Sequence, residues 1–330
     1  MFKKFASLSL TLVLTAGIAA ACGQTAAPTP AAPAPATPAP AATPAPTPAP
    51  TAKGYAPKEL NVQFVPSQSA ETLEAKAKPL EKLLGDKLGI PVKVTISTNY
   101  NTIIEAMASK KVDIGFLPPT GYVLAHDDKK AADLLLQAQR YGVNDETGQE
   151  DKSKLVDSYK SMIIVKKDSP IKTIEDLKGK KIAWQDVTSS AGYIYPGLEL
   201  KKKNIDPDKD VKGIVVKGHD KGVLAVLNDE VDAAAVFQDA RLNVVKDVPD
   251  VFEKTRVLFF TTPIPNDTIA VRTDMSDEWR KKISDAFIAI GQDPQGQQII
   301  YEVYSHRGYT TSDDSKFNVV RDANKQMGGK

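Results

Sequence analysis

A short apolar run, KIAWQ, ends at Gln185 and is followed by DVTSSAGYIYPG, residues 186–197. Two adjacent hydroxyl side chains, Ser189 and Ser190, therefore stand where a strand hands over to a helix expected over 190–203. The first amide hydrogens of a helix have no intrahelical acceptor, and the positive end of the helix dipole adds to them. Ser189 and Ser190 bring hydroxyl donors to the same place, and Gly192 lets a ligand approach closely. Such a turn can hold a small oxyanion: phosphate, phosphonate or sulfate. Plain capping is the alternative, since serine is a common helix cap. His219 could donate to an anionic oxygen with a charge that follows pH, or serve as a surface or capping residue. Tyr100 could do the same, or be a core tyrosine with its hydroxyl at a rim. Asp239 and Asp267 would repel a bare anion. They would suit a ligand carrying an amine, or a protonated oxygen able to donate.

These residues need a scaffold, and the hydropathy pattern supplies one twice. ELNVQFV reads as a strand, followed by an SQS turn (residues 67–69) in which Ser69 can cap a helix. Leu73, Ala77, Leu80, Leu84 and Leu88 keep helical spacing, with Pro79 implying a kink or restart. PVKVTIS, NTIIEAMAS and VDIGFL then read as strand, helix and strand. The later region repeats the order: KKIAWQ, a serine turn, a helix, VKGIVVKG, KGVLAVLND and VDAAAVF. Tyr100 precedes Asp113 by 13 residues, as His219 precedes Asp232; Thr120 follows Asp113 by 7, as Asp239 follows Asp232. Alternating strands and helices predict mostly parallel sheets with helices on both faces. Ligands of such sheets bind beyond the carboxyl ends of the strands. Those ends carry residues 67–69, Tyr100 and Thr120 in one half, and residues 188–190, His219 and Asp239 in the other. Two lobes with facing strand ends would enclose a cleft. YKSMIIVKKDSP can cross between the lobes, TTPIPNDTIAVR can cross back, and the C-terminal helices can complete the first lobe. The expected boundaries are 58–165 with 268–330 for the first lobe and 166–267 for the second.

The 330 residues are 42% hydrophobic and 25% charged, enough for a sizeable core. A net charge of +2 without a clustered basic stripe argues against nucleic acid. One cysteine and three histidines leave no internal disulfide and no Cys/His metal site, and nothing calls for a cofactor. The N-terminus, residues 1–21, has two lysines, an apolar run and small residues, the pattern of an export signal. The sole cysteine, Cys22, ends AAAC, which resembles a bacterial lipobox with Ala19 where leucine is usual. The expectation is cleavage before Cys22 and lipid on its sulfur. An ordinary signal peptide leaving a stray thiol is the alternative. Residues 22–57 continue as an Ala/Pro/Thr-rich tether that cannot bury enough surface to order itself. As polyproline II its Ala/Pro/Thr stretch, residues 24–53, would extend about 3 Å per residue, roughly 90 Å in all.

Taken in order, VDIGFLPPTGYVLA, YKSMIIVKKDSPIKTIEDLKGKKIAW, TSSAGYIYPG, GHDKGVLAVLNDEVDAA and PIPNDTIAVR resemble the phosphonate/phosphite/phosphate-binding proteins of ABC importers. The resemblance runs from about Leu60 to the C-terminus. It implies an α/β, two-lobed type II periplasmic-binding-protein fold: two mixed sheets flanked by helices, with the ligand cleft between them. It implies a phosphorus oxyanion held by a serine-rich loop at Ser189, Ser190 and Ala191, by His219, and by Tyr100 and Tyr159, with Thr120 in the first-lobe wall. In members that bind an aminoalkyl phosphonate, two acids hold the amine; those positions are Asp239 and Asp267. Ala191 removes a third hydroxyl but keeps its amide, and segment 115–122 departs from some members. The implied partners are a small anionic solute, an ABC permease with its ATPase, and the membrane through Cys22. The implied state is an extracytoplasmic monomer. The alternatives are another small anionic or organic solute on the same fold, a sensor lipoprotein without transport, or an enzyme. The last lacks a GxSxG, an HExxH or any nucleophile–base pair in the sequence.

Overall fold

The computed structural model describes residues 54–145 and 149–328. The expected signal, Cys22 and the tether up to residue 53 lie outside the described residues. The chain divides into residues 1–49 and 50–330, and the described elements all belong to the second of these.

The first elements are β1 (Leu60–Phe64), α1 (Ala70–Ala77), α2 (Pro79–Leu88), β2 (Val92–Ile96), α3 (Tyr100–Ala108), β3 (Ile114–Leu117) and α4 (Pro119–Val123). Pro79 restarts the helix rather than kinking it, because a proline has no amide to continue the ladder. A long β4 (Ala132–Val143) and β5 (Glu150–Val156) form a hairpin, and the two-residue β6 (Ser158–Tyr159) follows. Next come β7 (Ser161–Lys166), β8 (Lys181–Trp184), α5 (Tyr195–Lys202), β9 (Lys212–Val215), α6 (His219–Leu227), β10 (Ala233–Phe237), α7 (Val251–Lys254) and β11 (Thr255–Phe260). The chain returns through β12 (Ile264–Pro265) to β13 (Thr268–Arg272), α8 (Asp277–Gln292), α9 (Pro294–Tyr304), β14 (Gly308–Thr310) and α10 (Asn318–Met327).

Among the described residues, one sheet has the order β14-β4-β13-β3-β1-β2, with β5 added on β4; the other has the order β11-β7-β10-β8-β9. In the first, β1 runs parallel to β2 and β3, and β13 runs antiparallel to β3. In the second, β8 runs parallel to β9 and β10, and β7 runs antiparallel to β10. The plan β13-β3-β1-β2 is thus matched by β7-β10-β8-β9. The repeat extends to single atoms. Asp113 accepts from the Asn61 amide (2.8 Å) at the start of β1, and Asp232 accepts from the Lys181 amide (2.8 Å) at the start of β8.

Central strands are covered on both faces and read as continuous apolar runs, as such strands should: β3 and most of β7 and β10 are buried. The first-lobe core centres on Phe64 and Phe116, stacked at 4.0 Å between ring centres, with Phe287 and Tyr304 edge-on. The second sheet is packed on both sides, around Trp184 and Leu200 on one and Val223 and Val226 on the other.

Two placements differ from the sequence reading. Residues 161–165 were expected in the first lobe, yet β7 hydrogen-bonds between β10 and β11. An apolar run of strand length does not say which sheet it joins; pairing does. The C-terminal helix α10 was expected to complete the first lobe and instead lies across both. Val320 packs in the first-lobe core, Ala323 in the second-lobe core, and Lys201 donates to the Gln326 and Met327 carbonyls.

Candidate functional site

The strand ends of the two lobes face one another, and the lobes are closed. The His219 amide donates to the Ser67 carbonyl (2.9 Å), Gln185 Nε2 to the Pro66 carbonyl (2.9 Å), and the Ser69 amide to Asp220 Oδ2 (3.2 Å). Between them lies a small cavity of about 40 Å³. One water needs roughly 10–15 Å³ by the same measure, so the space suits a compact guest of a few heavy atoms.

The serine turn forms one wall. Ser189 caps the helical run, its hydroxyl accepting from the Gly192 amide (3.0 Å). The run begins with a wider, π-type turn, Ser190–Ile194, and continues as α5. Its carbonyl side is tied back into the second lobe. Ser161 Oγ donates to the Ala191 carbonyl (2.5 Å), and the Gln185 amide donates to the Gly192 carbonyl (3.1 Å). The amides of Ser190 and Ala191, first in the helix, have no protein acceptor among the described residues. Gly192 has a different role from the one its sequence position suggested. A Cβ there would sit 2.2 Å from the Gln185 Cβ and 2.9 Å from Ser189 Oγ, so the missing side chain admits strand β8, not a ligand.

Tyr100 and His219 open α3 and α6 and meet at this cavity. Burial pushes the Tyr100 phenol well above its ordinary value, so it is a neutral donor. Burial pulls His219 down to about 3, with Asp267 opposing and Arg140 assisting. Its imidazole is therefore neutral near pH 7, and the expectation of a charge following pH there is corrected. The His219 Nδ1 is buried without a partner among the described residues. Such an orphan is costly unless something fills its need.

Six of the sequence-selected residues line the cavity: Tyr100, Tyr159, Ser189, Ala191, His219 and Asp267. Thr120, Ser190 and Asp239 do not. Ser190 Oγ accepts from the Thr120 amide (2.9 Å) and donates to Thr120 Oγ1 (3.0 Å), so these two hydroxyls clasp each other across the lobes. Asp239 is held by Arg140, whose Nη1 lies 3.3 Å from Oδ1. The sequence repeat could place these residues at strand ends but not tell which would turn toward one another.

Arg140 was missed. It sits on β4, 4% exposed by side chain, with its guanidinium 4.8 Å from the Tyr159 ring centre. Its Nη2 lies 3.5 Å from Asp267 and donates to the Tyr304 carbonyl (3.3 Å). An arginine inside ADLLLQAQRYGV was the available signal, since a cation in a strand this apolar needs a buried partner. His306 was also missed; its Nε2 lies 3.3 Å from Asp267. Gln68 and Tyr304 join the lining as well. Among the described residues, no group of three or more His, Cys, Asp or Glu side chains is gathered as metal ligands would be, and no helix is long and apolar enough to cross a membrane.

A family model described as ABC transporter, phosphonate, periplasmic substrate-binding protein matches residues 62–317. The phosphonates-binding periplasmic protein of Escherichia coli is 28% identical over 247 residues, 74% of this chain and 69% of that one. The phosphate-import protein PhnD of Mycolicibacterium smegmatis is 27% identical, over 57% of each chain. Among solved structures, a binding protein component of an ABC phosphonate transporter from Pseudomonas aeruginosa superposes with a TM-score of 0.68 at 24% identity, covering 82% of this chain and 86% of its own. PhnD1 from Prochlorococcus marinus in complex with methylphosphonate gives 0.70 at 16% identity, covering 83% and 99%. The fold is the two-lobed type II periplasmic-binding-protein fold. Members of the family are transport binding proteins of the extracytoplasmic space, not enzymes. From the matched span, this chain belongs to the family of phosphonate periplasmic substrate-binding proteins of ABC transporters.

Proposed function

We propose that this protein captures a small phosphorus oxyanion between its lobes and delivers it to an ABC permease and its ATPase. One observation carries the reading: unpartnered or neutral donors face a single carboxylate across an enclosed space. The Ala191 amide, Ser189, Tyr100 and His219 supply the donors. Asp267 supplies the acceptor in the wall. A phosphorus oxyanion that keeps one P–OH near neutral pH can donate to Asp267 and accept from the rest. Sulfate has no such proton, and a carboxylate in the wall opposes it. Dipoles and neutral donors stabilise the anion, as helix N-termini do, while the cation in the lining, Arg140, is matched by Asp239 and Asp267.

Closure is a hinge motion of two lobes, biased by contacts the ligand makes only in the closed state. The antiparallel pair β6–β12, Ile264 opposite Tyr159, is the natural hinge because both crossings between the sheets pass through it. The protein binds and releases without turnover. It acts as a monomer, tethered by lipid on Cys22 through the Ala/Pro/Thr-rich segment; lasting attachment takes two or more acyl chains. Calorimetry with phosphite, phosphate, methylphosphonate and sulfate tests the reading. The phosphorus ligands should bind and sulfate should not. Ser189→Ala and His219→Ala should each weaken the best ligand by about tenfold or more, the worth of a buried hydrogen bond to a charged group. If both leave its affinity unchanged, the site is misassigned.

A further inference from the structure

The wall of the cavity that faces away from the serine turn is charged, and its charges are already matched. Asp267 is the carboxylate of that wall, Asp239 stands off the lining, and Arg140, itself in the lining, lies within 3.5 Å of the first and 3.3 Å of the second. His306 stands 3.3 Å from Asp267 on its other side. The guanidinium is fixed from below as well, by the Tyr304 carbonyl and the face of Tyr159. A ligand ammonium at this wall would find Asp267 already matched in charge, though still able to accept from a neutral hydroxyl. It would also face a buried cation at short range, and like charges brought together out of water cost several kcal/mol. Val65, Pro118 and Phe237 add apolar surface to the lining, beside Ser67 and Gln68. The space is about 40 Å³.

We infer that Arg140 takes the place a ligand's cationic group would occupy, so that this cavity selects phosphorus oxyanions whose substituent is small and uncharged. The inference rests on the reading of the cavity as an oxyanion site and narrows its substrate class. Arg140 is then a specificity-determining residue. It neutralises both acids in the closed state and leaves the oxyanion to be held by the neutral donors opposite. Its Nε, buried and unpartnered, is a further donor of the same wall.

Calorimetry on the full chain separates charge from size. Methylphosphonate, 2-hydroxyethylphosphonate and 2-aminoethylphosphonate form the series; the last two match in length and differ in the cation. The hydroxyl compound should bind roughly a hundredfold or more tighter than the amine, since each factor of ten is about 1.4 kcal/mol. Arg140→Met frees both carboxylates and should raise the affinity for the amine, relative to methylphosphonate, by at least about tenfold. The wild-type ratio stands even if that variant does not fold. Equal affinity for the hydroxyl and amine compounds, or equal exclusion of both, overturns the inference alone. Failure of all three while phosphite or phosphate binds overturns the inference alone, and failure of phosphite and phosphate as well overturns the oxyanion reading with it.

Discussion

Thr120 and Asp239 hold equivalent positions in the two lobes, each seven residues after the aspartate that caps its sheet. Each reaches across the cleft. Thr120 meets Ser190 of the second lobe, hydroxyl to hydroxyl at 3.0 Å, with its amide also donating. Asp239 meets Arg140 of the first lobe at 3.3 Å, both side chains almost wholly buried. One plan used twice therefore produces two crossings with opposite chemistry. The neutral crossing can part and be rehydrated at little cost. The charged one is costly to leave half-made, because a lone buried ion keeps its desolvation penalty when its partner goes. The backbone repeat sets the symmetry of the cleft; the side chains at its two crossings give it a neutral end and a charged end.

The strongest way to break this comparison is to neutralise the charged crossing. Asp239→Asn keeps the shape and leaves Arg140 with Asp267 as its remaining acid. The closed state should lose about 3 kcal/mol, as when one partner of a buried pair is removed. Chemical denaturation would register a smaller loss, since opening rehydrates the arginine, and calorimetry would show ligand affinity falling by roughly a hundredfold. An unchanged affinity would mean that the pair does not hold the lobes together. Gly218→Ala should come next. Gly218 has φ +113°, and a Cβ there would lie 3.1 Å from the Gln68 carbonyl carbon and the Ser69 amide of the other lobe. Backbone strain of this kind costs on the order of 1–3 kcal/mol, and the cross-lobe part falls on closure alone. Affinity should drop by about tenfold or more while the thermal midpoint moves by a few degrees.

How far the sequence carries one toward this cleft depends on which interactions are local. The alternation of strands and helices, the restart at Pro79 and the serine turn are written in short stretches, where period and capping decide the outcome. The repeat of Asp113 and Asp232 was legible because each caps a strand of its own sheet. The sheet to which β7 belongs was not legible, since SMIIV is equally apolar in either. Arg140 stood out as a cation inside a strand, but what it pairs with was hidden for the same reason. Its partners lie 99 and 127 residues away in sequence, and no local pattern reports them. Tyr100 and His219 were expected just past strand ends, where they open α3 and α6, but the neutrality of His219 comes from its burial.

That pair gives a finer test, because equivalent positions hold a tyrosine and a histidine. The Tyr100 phenol stays neutral throughout the working range, whereas His219 must give up its proton to be buried. Its value in the folded chain, about 3, lies below the ordinary 6.5, so as pH falls the unfolded or open chain takes up the proton first. Stability without ligand should be flat above about pH 6.5, decline below it, and level off only near 3. At pH 5.5 the loss is about 1.4 kcal/mol for this one group. His306, also lowered by burial, adds in the same direction. His219→Gln should flatten the slope measured by thermal melts between pH 7 and 5, and Tyr100→Phe should leave it alone. An unaltered slope in the histidine variant would assign the acid sensitivity elsewhere.

The smallest expected effect belongs to the neutral crossing. Thr120→Val removes one hydroxyl, which also donates to Asn324 of the bridging helix α10 at 3.3 Å, and keeps the amide that binds Ser190. The loss should be about 1 kcal/mol, the net worth of a hydrogen bond between neutral groups. Ligand affinity should fall no more than about fivefold, far less than for Asp239→Asn. The two variants together should add, since their crossings share no partner and independent sites are additive to within about 0.5 kcal/mol. A double variant much weaker than that sum would show that the neutral and charged ends close as a single cooperative step, with Ser190 and Arg140 coupled through whatever fills the space between them.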